Sequence, residues 1–281
     1  MLPLKLLLVL VAILGLLLPQ FGIIGKDLLT PCLAISVFFS LLATKQQFKL
    51  EMEPIKTGFI YNYLVLTVVL VAFAFFLPTG IKEGVILYAI FPPAIGLIVL
   101  SHDWGGNARG VFIFQLVSYA ASIVFIPLAS LLLLGTAVDA MALTKYLIFV
   151  FGLPAALSFF FNFKNKELMS DISNVSLAAM FYIAIAVAQA NILASASTLL
   201  VYSAVFFVLS LAVSYLVARY TKDPDAVLYS FMKNGGAAAG IATALALPAA
   251  ATLIISAKIF MDIILIVILA AVVEKLRPKP S

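Results

Sequence analysis

Long apolar runs follow one another along this chain, each bounded by Pro, Gly or charge. A helix needs roughly 20 mainly apolar residues to cross the hydrocarbon layer of a membrane. Ten runs have the length and composition of such spans, at about residues 3–18, 28–44, 57–77, 81–103, 108–134, 143–162, 173–191, 196–218, 224–247 and 250–273. Almost nothing remains for a soluble domain, so the pattern predicts an all-α membrane protein with ten transmembrane helices. The first run imitates a secretory signal peptide, with Lys5 ahead of an apolar stretch ending near Pro19. No small-x-small cleavage site follows Leu18, and nine further spans make a first membrane helix the simpler reading.

Composition agrees with this pattern. Of 281 residues, 65% are hydrophobic and 10% charged, against about one quarter charged in soluble domains. A water-soluble domain and a disordered chain are excluded, and Cys32, the single cysteine, excludes a disulfide scaffold. The net charge of +5 comes without a basic face or an aromatic-basic ladder, so nucleic acid is not an expected partner. The partner this surface calls for is the lipid bilayer.

The positive excess has a topological reading, because cytoplasmic loops retain Lys and Arg. Ten spans put both termini on one side. That side carries Lys5, Lys45, Lys49, Lys56, Arg109, Lys164, Lys166, Arg219, Lys222, Lys275, Arg277 and Lys279, against Lys26, Lys82 and Lys145 on the other. Twelve against three predicts cytoplasmic termini, with the plasma (inner) membrane as the expected location. Two of the 17 basic residues, Lys233 and Lys258, are left inside spans.

Spans four and nine hold the least helix-friendly sequences, Phe91-Pro92-Pro93-Ala94-Ile95-Gly96 and Lys233-Asn234-Gly235-Gly236. A shift of 141 residues places Leu87-Tyr88 on Leu228-Tyr229 and Pro92-Pro93 on Lys233-Asn234. The chain therefore reads as two five-helix halves, residues 1–134 (spans one to five) and 135–281 (spans six to ten). Five is odd, so the halves are inverted in the membrane. Paired interrupted helices at corresponding places point to the binding site of a secondary transporter, because Pro and Gly free backbone groups at mid-depth. The breaks of spans four and nine are expected to cross near Pro93 and Gly235.

Charged groups at mid-bilayer are costly and face a cavity or a partner. Lys233 sits at the break of span nine. Lys258 and Asp262 lie four apart on one helix face, as a structural pair or as participants in substrate or proton handling. Asn62 in span three and Gln115 in span five are further polar candidates, or plain interhelical hydrogen bonders. The segment Ser101 to Asn107 holds the only His and the only Trp; one His and one Asp cannot furnish a zinc site, and an interfacial turn accounts for them. No P-loop, HExxH, paired Cys-x-x-Cys or GxSxG motif occurs, so neither enzyme activity nor a cofactor is expected.

Leu77-Pro78 leading into Gly84-Val85-Ile86-Leu87, the Pro92 break, Gly106-Asn107, Pro127, and Phe231-Met232-Lys233-Asn234-Gly235-Gly236 ahead of an Ala-rich half-helix together resemble the bile acid:sodium symporter family. That family lies in a wider group with auxin efflux carriers and arsenite permeases, and the resemblance covers nearly the whole chain. It implies ten helices in two inverted repeats, a panel domain and a core domain assembled from both, and helices four and nine crossing in the core. Motion of core against panel would expose the crossing alternately to each side.

Carried over by position, the family's substrate-facing Asn falls on Asn234 and a polar position of helix ten near Asp262. The implied sodium ligands are degraded. Leu97-Ile98 stand where the family has Ser-Asn, Tyr229 where it has Glu, and Lys233 where it has Gln. Its small hydroxyl residues of helix five fall near Val111 and Gln115, and its helix-three Gln is matched approximately by Asn62. An ammonium at a sodium position replaces the ion's charge, and desolvation disfavours the charged form of a buried lysine, which opens the way to proton coupling.

The expectation is a secondary active transporter of a small organic anion. Substrate binding is assigned to Asn234, Asp262, Lys258, Gly235 and Pro93, and ion coupling, by sodium or proton, to Lys233, Tyr229, Gln115 and Asn62. An auxin-efflux-like carrier, or a non-transporting membrane sensor on the same fold, are the alternatives. The anion preference rests on two lysines against one aspartate, and on half-helix N-termini that carry partial positive charge.

Overall fold

A computed structural model describes residues 4–44, 51–135, 139, 141, 144–145, 148–161, 163, 165–194, 200–245 and 247–276. Every regular element among them is helical. Of the twelve basic residues on the side of the termini, Lys45, Lys49, Lys164, Arg277 and Lys279 lie outside the described residues. Among the described residues six stretches are long and apolar enough to cross a membrane: Lys26–Ala43, Met52–Ala74, Ala108–Leu134, Lys166–Val187, Val201–Thr221 and Ala249–Lys275. Large apolar side chains such as Leu132, Phe76 and Phe160 stand more than four-fifths exposed, at 83%, 86% and 82%. Such a surface belongs in lipid. This is an integral membrane protein.

Chain order begins with α1 (Leu4–Leu17), the short α2 (Pro19–Ile24) and α3 (Leu29–Thr44). The sequence pattern did not separate α2. Pro19 starts it at a position where a missing N–H costs no helix bond. Helix α4 (Met52–Gly58) runs through a π-helical segment, Phe59–Thr67, into α5 (Val68–Ala74). Then come α6 (Ile81–Ile90), α7 (Leu97–Asp103) and α8 (Ala108–Leu134). Asn107 caps α8 by accepting from the Gly110 N–H, and Gly135 ends it at φ +74°, a left-handed conformation glycine adopts without penalty.

A second π-helical segment, Ile148–Gly152, leads into α9 (Leu153–Phe160). The chain continues with α10 (Lys166–Ala194), α11 (Leu200–Thr221), α12 (Pro224–Tyr229), α13 (Gly235–Ala244) and α14 (Ala249–Leu276).

The expected span four is thus α6 and α7, and span nine is α12 and α13. Neither counts as a continuous crossing helix, because each is split in two. Phe91 ends α6 in extended backbone, φ −68° and ψ 152°, as a residue before proline is driven to do. Pro92 and Pro93 then have no N–H with which to resume the ladder. The second break runs from Ser230 to Asn234, and Asn234 caps α13 by accepting from the Ala237 N–H at 3.0 Å.

The helices pack as two groups. Helices α1, α2 and α3 lie against α10, with α9 against α3; α4 to α8 form the other group together with α11 to α14. Contacts of α3 with α7, of α10 with α7 and α14, and of α1 with α14 join them. Gly84 of α6 lies so close to α14 that a Cβ would meet the Ala251 carbonyl at 2.5 Å, the close backbone approach that small residues permit between membrane helices.

Candidate functional site

The two breaks touch. The Asn234 N–H donates to the Pro92 carbonyl at 2.8 Å. Broken helices leave carbonyls without partners at a depth where water is absent, and each orphan costs several kcal/mol. Here side chains answer them. Tyr119 of α8 donates its hydroxyl to the Pro93 carbonyl at 2.9 Å, and Gln115 Nε2 donates to the Ala94 carbonyl at 2.5 Å. Asn62 Nδ2 donates to the Tyr229 and Met232 carbonyls at 2.9 and 3.1 Å. Asn234 Nδ2 donates to the Tyr119 oxygen at 2.7 Å, closing a chain of bonds from one break to the other.

Lys233 is buried, with 1% of its surface exposed. Its ammonium donates to Asn62 Oδ1 at 2.7 Å and to Thr67 Oγ1 at 2.8 Å, and lies 4.4 Å from the Tyr63 ring centre. All three partners belong to the π-helical segment. A π turn widens the ladder, and Thr67 Oγ1 donates to the Asn62 and Ala89 carbonyls, both at 3.0 Å. Among the described residues this ammonium has neutral partners and no carboxylate.

Lys258, with none of its surface exposed, is held differently. It forms an ion pair with Asp262 Oδ1 and donates to the Phe231 carbonyl at 3.2 Å. The rings of Tyr88 and Phe206 lie 5.3 Å from the charge. Tyr88 of α6 donates to Asp262 Oδ2 at 2.8 Å and accepts the Lys233 N–H at 3.2 Å. One phenol thus joins α6, the break between α12 and α13, and α14.

Between the crossing and the other helix group lies a cavity of about 60 Å³, room for a few water molecules. Leu29 and Leu33 of α3 and Phe181 of α10 line one side; Asn234, Gly236 and Asp262 line the other. Gly235 is there for a steric reason, since a Cβ would meet Ile259 at 2.7 Å.

Of the residues assigned to substrate, Asn234, Gly235 and Asp262 line this cavity. Pro93 and Lys258 do not; the first presents its carbonyl to Tyr119, the second is spent on Asp262. Of those assigned to ion coupling, Lys233 lines the cavity and is joined to Asn62, while Gln115 serves the Ala94 carbonyl. Tyr229 stands apart. Its buried hydroxyl has no hydrogen-bond partner among the described residues, and the residue lines a second cavity, of about 710 Å³, together with Glu51, Glu53, Asp223 and Asp225. Near that cavity Asp225 accepts from Ser101 Oγ at 2.5 Å and from the Asn107 N–H at 2.7 Å, tying α12 to the turn after α7. Among the described residues no group of three or more His, Cys, Asp or Glu could hold a metal ion.

Sequence reasoning missed Tyr88, Tyr119, Thr67 and Tyr63. Tyr88 carried a signal: with Leu87 it repeats at Leu228-Tyr229. No protein-family model matches the chain, and neither does any curated protein.

Proposed function

We propose that this protein is a secondary transporter of a small organic anion, built as ten passes in two inverted five-helix repeats with both termini in the cytoplasm. The observation that carries the reading is the contact of two helix breaks, at Asn234 N–H and the Pro92 carbonyl, beside a cavity shared by two helix groups. Paired broken helices meeting at a cavity are the architecture of alternating-access carriers. The group of α1–α3, α9 and α10 takes the part of the panel, and the other group that of the core.

Anion preference follows from the charge at the crossing. Lys258 and Asp262 cancel, and Lys233 keeps a positive charge with neutral partners only. A substrate carboxylate entering the cavity supplies the missing counter-charge, helped by the N-terminus of α13 at Gly235 and Gly236.

Sodium is not the coupling ion in this reading. A sodium cage needs several oxygens, and the break carbonyls at Pro93, Ala94, Tyr229, Phe231 and Met232 already accept from side chains. Lys233 is instead the resident cation. A non-transporting sensor is the second reading, favoured by the small size of the cavity.

Purified protein in liposomes tests the proposal, with uptake of small carboxylates measured under imposed sodium or proton gradients. Uptake that follows the proton gradient, or neither gradient, and that Lys233→Gln abolishes or uncouples, is the expected result. Steep sodium dependence untouched by Lys233→Gln would overturn the assignment, and binding without accumulation would favour the sensor.

A further inference from the structure

The proposed function leaves the buried pair on α14 without a task beyond neutrality. We propose that Asp262 is the proton site of the carrier: a proton taken up by its carboxylate is what admits a substrate carboxylate to the cavity. This rests on the transport reading above and assigns its coupling ion.

Three features of the geometry carry it. Among the described residues Asp262 is the only carboxylate lining the cavity, so it is the acidic group that solvent or substrate there meets. Lys258, its counter-ion, does not line the cavity and has no exposed surface, so neutralising Asp262 leaves an ammonium that cannot move out to water. Tyr88, third, has two acceptors within reach of its hydroxyl: Asp262 Oδ2 at 2.8 Å and the Phe231 carbonyl at 3.4 Å.

The step balances as follows. A proton from hydronium adds to Oδ2 of ionised Asp262, giving the neutral acid and leaving a water molecule. The Tyr88 O–H turns from Oδ2 to the Phe231 carbonyl. The new acid O–H donates into the cavity, where a substrate carboxylate accepts it, and that carboxylate brings back to the crossing the negative charge that Asp262 has lost. One proton and one negative charge enter together, so the loaded and empty carriers have equal charge. Because Phe231 lies in the break between α12 and α13, the turn of Tyr88 passes the protonation of α14 to the crossing.

Among the described residues, the side chains bonded to Asp262 are those of Lys258 and Tyr88. The faces turned to the cavity from α3 and α10 are apolar, and Phe206 is the α11 contact to the pair. Lys233 reaches the network only through its backbone N–H on Tyr88, its ammonium being fixed on Asn62 and Thr67.

Infrared difference spectroscopy on the full chain in lipid nanodiscs, stepped from alkaline to mildly acidic pH without any substrate, reads the proton directly. A protonated-carboxyl C=O band should grow in on acidification. It should be lost in Asp262→Asn and persist in Asp262→Glu, and the tyrosine C–O band that changes with it as the phenol turns should be lost in Tyr88→Phe, which keeps the ring and removes the hydroxyl. A difference spectrum identical in Asp262→Asn and the unmodified protein would overturn the proposal, as would a tyrosine C–O change that survives in Tyr88→Phe. Since the readout needs no transport, a band with these properties in a protein that accumulates nothing would leave the proton site standing and defeat the transporter reading alone.

Discussion

Lys233 and Lys258 are both buried against the same helix break, and they are held in opposite ways. Lys258 faces a carboxylate one helical turn away on its own helix. Lys233 reaches across to α4–α5 for an amide oxygen, a hydroxyl and a ring face. A buried charge without a counter-ion is costly to maintain, while a hydrogen-bonded pair is close to neutral in its effect on stability. In the proposed carrier the difference divides the labour: the compensated pair supplies a group that can change its charge, and the uncompensated ammonium supplies a standing positive potential beside the cavity.

The largest effect that could break this comparison comes from Lys258→Met. It strands the Asp262 carboxylate beside Tyr88, and removing one partner of a buried pair costs about 3–5 kcal/mol. Thermal unfolding in detergent should record that loss, and Lys258→Met combined with Asp262→Leu should recover most of it. A single variant as stable as the unmodified protein would mean that the two groups are not a compensated pair.

Lys233→Met should cost less, about 1–3 kcal/mol, since it orphans a neutral amide oxygen and no carboxylate. Its effect on anion uptake should nevertheless be complete, whereas its effect on unfolding should fall below that of Lys258→Met. Equal destabilisation by the two substitutions would show that Lys233 also has a compensating anion, and the charge argument for the substrate would fail.

The sequence made some of this legible and hid the rest for identifiable reasons. Pro92 and Pro93, and Gly235 and Gly236, mark breaks through local backbone chemistry that acts wherever those residues occur. Lys258 and Asp262 are neighbours because four residues return to one helix face. The partners of Lys233 are 171 and 166 residues away, and no periodicity reports such a meeting. The π-helical turn at Phe59–Thr67 that presents Asn62 and Thr67 together also escapes a reading based on ordinary helical spacing. Tyr229 shows the opposite failure: a position paired by repeat with Tyr88 lines an acidic cavity and not the cavity at the crossing.

Alternating exposure of the crossing is the central claim, and cysteine labelling tests it most directly. Cys32 is the only cysteine, so Cys32→Ser gives a blank background. Gly236 lines the cavity, and a Cβ there meets nothing nearer than Asn234 Oδ1 at 3.8 Å. In Gly236→Cys on that background, an impermeant thiol reagent should label sealed vesicles from either side of the membrane. Labelling from one side only, in vesicles of both orientations, would contradict a carrier and leave a fixed binding site.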